Sequence, residues 1–250
     1  MSKELYLVDD NLSRLWAKAF CAVMHPCMND KIPLVVTLDI PQSNKIEEIL
    51  EIRLELDGML IETNNFNCDT VSNTIFPASL WNPKLDRTKL FERYLRIFPK
   101  IRRGCSKNRL GTYFQRLIKY GPKNINQLDQ IIKFYNSGNH RRSAMQMAVF
   151  DPNEDLKNQR QRGFPCLQHV IITPMADGLA VTGFYATQHI FDRAYGNYMG
   201  LIALGRFVAH ELGLNLTRMN CVASVAVPGY VNRSEVLRLL DLCLKVSEKE

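Results

Sequence analysis

The chain has 250 residues, 46% hydrophobic and 23% charged, enough to bury a large core as one globular domain. Its net charge of +7 is dispersed, with Lys100-Ile101-Arg102-Arg103 the densest group apart from the alternation Arg160-Gln161-Arg162, so an anionic small molecule is the expected partner and nucleic acid is not. Seven cysteines without a Cys-x-x-Cys pair argue against a disulfide framework or a zinc site, and with no basic, apolar leader and no apolar run near ~18 residues they point to a reduced, cytoplasmic protein away from membranes.

Asn11 is placed to cap an amphipathic helix through about Met24, with Leu12, Leu15, Trp16 and Phe20 near helical spacing and His25-Pro26 closing it. Residues 34–38 predict a buried strand. The alternation from Ile52 through Leu54 and Leu56 to Leu60 predicts another, with one wet face. Residues 85–101 are rich in helix formers, and Pro99 is expected to end or kink that helix. A helix is expected over 127–134, a strand over 144–150, a polar loop over 151–163, and strands over 167–173 and 179–185. Residues 197–212 predict a long apolar helix ending near Gly213, a natural C-cap. Residues 220–227 return to the sheet, and a leucine stripe from Ser234 marks a terminal helix whose apolar face is packing. Mixed strands and helices without a linker predict a single α+β domain over residues 1–250.

The chemistry concentrates around one cysteine. Gly163-Phe164-Pro165-Cys166-Leu167-Gln168-His169, with Arg141-Arg142 upstream and Tyr195-Gly196-Asn197 downstream, resembles the active-site core of the thymidylate synthase superfamily. Leu110-Gly111-Thr112-Tyr113 is similar to that family's Gly-x-x-Tyr segment, and Asn126-Gln127-Leu128 to the helix before its paired arginines. The likeness covers residues 111–227 best and leaves 1–110 more divergent. It implies a large mixed sheet covered by helices, one sheet face being buried in a homodimer.

It also implies roles. Cys166 would be the nucleophile, which needs nearby positive charge because a thiol of pKa ~8.5 is mostly protonated at neutral pH; an inert buried cysteine is the alternative. Arg141 and Arg142 would bind phosphate across the dimer interface. Tyr113 would act as a catalytic residue at the ring beside Cys166, and Gln168 and Thr187 would belong to the substrate site. Asn197 would read the edge of a uracil-like ring, since an amide presents donor and acceptor together; a helix cap is the alternative. Glu92 would be the buried glutamate that relays protons around the ring, or else a solvated side chain paired with Arg96.

Several family positions are changed. Ala186 stands where a phosphate-binding arginine is usual, Thr187 at the serine, and His189 at an aspartate associated with folate. Leu167 replaces the histidine that commonly follows the nucleophile, no His-x-Tyr follows Cys221, and the residues after Val246 are not the apolar tail that closes over folate. Losing an arginine and a sugar clamp, at ~1.5 to 3 kcal/mol per charged hydrogen bond, disfavours an ordinary deoxynucleotide. His189 is left as an anion ligand or acid–base group, or a satisfied loop histidine. By strand alternation His169 is expected to share the face of Leu167. The resemblance implies transfer of a methyl or hydroxymethyl unit from 5,10-methylenetetrahydrofolate to C5 of a pyrimidine nucleotide or modified pyrimidine, with no metal. Folate-independent C5 chemistry and a silent nucleotide or nucleoside binder are the alternatives.

Overall fold

The computed structural model describes residues 5–25, 32–43, 45–158 and 165–247. Strand β1 (Leu5–Asp9) leads into helix α1 (Leu12–Val23), where the Asn11 side chain accepts from the Arg14 amide as the expected cap. Leu12, Leu15, Trp16 and Phe20 form its buried stripe. Strand β2 (Ile32–Asp39) follows.

Residues 50–62 correct the sequence reading: they form helix α2 (Leu50–Glu62), not a strand. Ile52, Leu56 and Leu60 are buried while Leu50 and Leu54 are exposed, so the positions four residues apart meet the core. A period of two contains a period of four, and burial selects the helix. Helix α3 (Cys68–Ile75) precedes α4 (Thr88–Gly104), which continues past Pro99 and does not end there. Pro99 lies on the wet side of α4, where water can satisfy the Leu95 carbonyl that the missing N–H leaves open.

Helices α5 (Tyr113–Ile118) and α6 (Gln127–Asn136) lead to β3 (Gln146–Ala148), shorter than the strand expected there, and to the short α7 (Pro152–Asp155) inside the expected loop. Pro26 and residues 159–164, with Phe164 and the Arg160–Arg162 alternation, lie outside the described residues. Then come β4 (Leu167–Met175), β5 (Gly178–Tyr185), β6 (Gln188–His189), one π turn over Ile190–Ala194, and α8 (Tyr195–Leu212). Gly213 ends α8 in the left-handed conformation, φ 67°, as its C-cap role requires. Strand β7 (Leu216–Val227) and helix α9 (Leu237–Ser247) complete the chain, and the α9 stripe Leu239, Leu240, Cys243 and Val246 is buried packing.

Among the described residues seven strands form one mixed sheet in the order β1-β2-β7-β5-β4-β3, with β6 added to β7. β1 pairs with β2 and β5 with β7 in parallel, while β2–β7, β4–β5 and β3–β4 are antiparallel. Helices α1 and α8 lie against it. Leu34, Val36, Leu179, Val181 and Tyr185 are buried on the helix side. The other face carries a polar ladder, in which Thr37 donates to Asn220 (3.0 Å) and Asn220 to Thr182 (3.1 Å), flanked by the exposed Tyr6 and Val8. Among the described residues no helix is long and apolar enough to cross a membrane.

Candidate active site

Cys166 sits in the turn that enters β4, and its carbonyl accepts from the Ala186 amide at 3.0 Å, tying that turn to the end of β5. A bulge follows: Leu167 pairs with Tyr185 and His169 with Phe184, which leaves Gln168 as the extra residue. The Gln168 amide folds back and donates to the carbonyls of Pro165 and Cys166, so its N–H groups hold the turn and are not free for a substrate. The bulge also reverses the alternation. Leu167, Val170 and Ile172 are buried together, whereas His169 lies on the opposite face, bonded to Gln146 at 2.9 Å. His169 therefore does not share the face of Leu167.

Tyr113 opens α5 behind its N-cap Thr112, whose hydroxyl accepts from the Gln115 amide and bonds the Tyr94 hydroxyl. Burial, helped by the neighbouring Cys166 sulfur, pushes the Tyr113 phenol up to about 12 and keeps it protonated. Beneath it Tyr185 is 2% exposed, and its hydroxyl has no partner among the described residues. Burial pushes that phenol well above the usual range, with the Cys221, Tyr113, Tyr198 and Cys166 groups adding to the effect. Gln188, also buried, donates to the Cys221 sulfur at 3.3 Å and accepts from Tyr198 at 3.4 Å.

The placement of Asn197 follows from two glycines. A Cβ at Gly205 would strike Val181, and one at Gly183 would strike Leu201, so α8 runs antiparallel to β5 and in close contact with it. Four helix residues rise ~6 Å and two strand residues ~6.6 Å, so one further turn of α8 puts Asn197 level with Tyr185. Asn197 is inside α8 and not its cap, because the chain enters the helix through the π turn. Its side chain is 4% exposed with no partner among the described residues.

The same π turn brings Asp192 and Arg193 to the site. Arg193 pairs ionically with Asp192, Nε to Oδ2 3.2 Å, and its guanidinium lies 5.5 Å from the centre of the Phe66 ring. Burial pushes the Cys166 thiol up; the Arg193 charge opposes that and Asp192 adds to it. His189 lies 3.4 Å from Asp192 and edge-on to Tyr230. Thr187 is half-buried in the bend after β5, beside the exposed Ala186. Arg116 donates to both oxygens of the buried Asp155 and to the carbonyls of Leu110 (3.0 Å) and Val149 (2.9 Å), which fixes the approach to Tyr113. A cavity of about 400 Å³ beside this ion pair, lined by Tyr120, Lys119 and Asp151 among others, does not include Cys166.

Three expected residues stand elsewhere. Glu92 is exposed and pairs with Lys89 at 3.1 Å, so neither the buried relay nor a pairing with Arg96 is found; its helix position faces solvent. Arg141 and Arg142 are exposed, with Arg141 Nε donating to Ser143 at 2.8 Å. They precede Met145, whose carbonyl accepts from the Ile172 amide, six residues, or about 20 Å, along β4 from Cys166. Sequence reasoning missed Tyr185, Gln188, Asp192 and Arg193; the usable signal was an acid–base pair inside the otherwise apolar run from Ile190 to Tyr195. Among the described residues no cluster of His, Cys, Asp or Glu could hold a metal ion.

No protein-family model matches the chain. A protein of Methanocaldococcus jannaschii named "Putative thymidylate synthase" is 30% identical to it over 168 residues, which span 63% of this chain and 74% of that protein. That similarity agrees with the motifs around Cys166, and the chain belongs to the thymidylate synthase family as a divergent member.

Proposed function

We propose that the chain transfers a one-carbon unit, as methyl or hydroxymethyl, to C5 of a pyrimidine nucleotide or modified pyrimidine through a covalent Cys166 adduct, as a homodimer. The observation that carries this is Asn197, a buried amide without a partner among the described residues, level with Tyr185 at the end of the sheet that holds Cys166. An amide presents donor and acceptor together, which matches a ring edge offering both N–H and carbonyl.

In this reading the Cys166 thiolate bonds to C6, and the displaced electron pair makes C5 nucleophilic. C5 accepts the one-carbon unit and loses its proton, and the C6–S bond then breaks to return the thiolate. Tyr113, held protonated, stands against the nucleophile turn, with its hydroxyl bonded by the Cys166 and Leu167 backbone. 5,10-Methylenetetrahydrofolate, when bound, would supply the methylene carbon and, for a methyl product, the hydride that reduces it, whereas water would complete a hydroxymethyl product. The residues that would hold it are the half-buried His189, which faces the buried Asp192 carboxylate at 3.4 Å, and the Tyr230 ring beside it. The exposure of Arg141 and Arg142 supports service to a partner's site, and the sheet face bearing Tyr6 and Val8 supports a dimer.

Tritium release from a panel of [5-3H]pyrimidine nucleosides and nucleotides tests the reaction, since it reports attack at C6 and loss from C5. Release that requires the folate is expected. Release without it selects folate-independent C5 chemistry, and binding without release selects a silent binder.

A further inference from the structure

The cavity of about 400 Å³ that lies apart from Cys166 has firm walls. On one side stands the turn from Tyr120 to Ile125, closed by backbone bonds in both directions, at 2.8 Å from the Tyr120 N–H and 2.9 Å from the Ile125 N–H. The Tyr120 hydroxyl anchors that turn by donating to the Phe150 carbonyl at 2.7 Å. On the other side stands α7, whose N-cap is Asp151. Arg116 lies between them. Its guanidinium is engaged by both oxygens of Asp155 and by the carbonyls of Leu110 and Val149, so the remaining charges of the lining are the exposed Lys119 against Asp151 and Glu154.

Asp151 is the buried member of that set. It is 6% exposed, yet no cation pairs with it among the described residues. Oδ1 accepts from the Asn153 amide at 3.0 Å, as the cap of α7, and from the Asn153 side chain at 3.3 Å, whereas Oδ2 has no hydrogen bond among the described residues. Oδ2 faces the opposite wall, where a Cβ on Gly121 would stand 3.8 Å from it. Gly121 is left-handed, φ 61°, so the wall carries no side chain over this oxygen. A buried carboxylate that lacks a counter-charge is costly to keep unless a cation joins it. Among the described residues no group of three His, Cys, Asp or Glu could hold a metal ion, which turns the choice to an organic cation. A primary ammonium brings three N–H donors, one for Oδ2 and others for the polar rim.

We propose that this cavity is a binding site for a small primary amine, whose ammonium group pairs with Asp151 Oδ2. The site stands apart from the chemistry at Cys166, which is not part of its lining. Glu154 adds attraction at the rim, and the charge of the exposed Lys119 is screened by solvent.

The test is calorimetric titration of the full-length chain, in phosphate buffer free of amines, with 4-amino-1-butanol and 1,4-butanediol, which differ by an ammonium against a hydroxyl. The amine is expected to bind with a Kd of about 1 mM or tighter, and the diol at least about tenfold more weakly. Asp151→Asn removes the charge and keeps an oxygen to cap α7; it is expected to weaken the amine about tenfold or more and to leave the diol unchanged. Glu154→Gln, at the exposed rim, should weaken the amine only about twofold. Should Asp151→Asn fail to fold, Gly121→Asn replaces it, since asparagine tolerates the left-handed conformation and its side chain would cover Oδ2 and block the amine. Equal binding of amine and diol, no binding of the amine at about 10 mM, or amine binding undiminished in Asp151→Asn or Gly121→Asn overturns the proposal. Displacement of the amine by an equal concentration of magnesium would mark a metal site and overturn it as well.

Discussion

At the scale of single residues, the described thiols differ in what surrounds the sulfur. Burial pushes Cys221 up to about 12 and Cys68 higher still, whereas Cys21 is lowered, first by the hydrogen bond from Cys243 and then by Ser247 and the Arg233 charge. Cys166 lies between: raised by burial, eased by Arg193. In the free chain Cys21 is therefore expected to alkylate faster than Cys166, while a bound pyrimidine protects Cys166 alone. Peptide-resolved labelling with and without ligand checks both statements, and equal protection of the two thiols would contradict them. Cys166→Ser alters little volume and should keep the unfolding temperature, yet lower turnover by about a thousandfold or more, because a serine hydroxyl without a dedicated base is a poor nucleophile. Residual turnover within tenfold of the parent would remove Cys166 from the chemistry.

At the scale of elements, α8 does two jobs, carrying Asn197 to the site and packing between β5 and α3. The second depends on glycines: a Cβ at Gly200 would meet Ile75 Cβ at 2.8 Å and the Ser72 carbonyl at 2.9 Å, and one at Gly196 would meet the Cys68 carbonyl at 2.6 Å. Backbone cannot step aside as a flexible side chain can, so Gly200→Ala should cost about 1–3 kcal/mol, at about 2 to 4 °C of melting temperature per kcal/mol. A melt within one degree of the parent would show that α3 can move. Elements whose local signals agree were legible in the chain: α1 with its Asn11 cap, α6, β4, β5, and α8 with Gly213. Those where two periods coincide, as in α2, or where solvent excuses a breaker, as at Pro99, were not. The bulge at Gln168 leaves no mark in the alternation, yet it sets the face of His169. The site divides in the same way. Cys166, Tyr113 and Asn197 sit in local motifs, whereas Tyr185 and Arg193 matter only because the β5 end and the π turn converge on the nucleophile, which no spacing along the chain encodes.

At the scale of the whole molecule, one carboxylate ties the β1 edge of the sheet to its first helix. Burial pushes Asp9 up, but hydrogen bonds from Arg14 and Lys18 outweigh it and hold the carboxyl at about 2. An unfolded aspartate titrates near ~3.9, so the stabilisation, about 2 kcal/mol, is complete above that pH and lost as pH falls toward 2. Asp9→Asn should be less stable at neutral pH and show a flatter acid limb in pH-dependent unfolding; an unchanged limb would place the acid sensitivity elsewhere. The sheet face opposite the helices sets the larger question. Tyr6 and Val8, 66% and 42% exposed, border a polar ladder, and a second copy packed there would bury both. Such packing would let the exposed Arg141 and Arg142 serve a partner's site. Each active site would draw its nucleophile from one subunit and its arginines from the other. Cys166→Ala and Arg142→Ala homodimers are then both inactive, but a hybrid holds one site with neither change. Random mixing makes half of the dimers hybrids, so about a quarter of parental activity should return, measured as tritium release after refolding the chains together. If hybrids form, as differently tagged chains would reveal, and the mixture stays as inactive as either parent, the arginines serve no site across the interface.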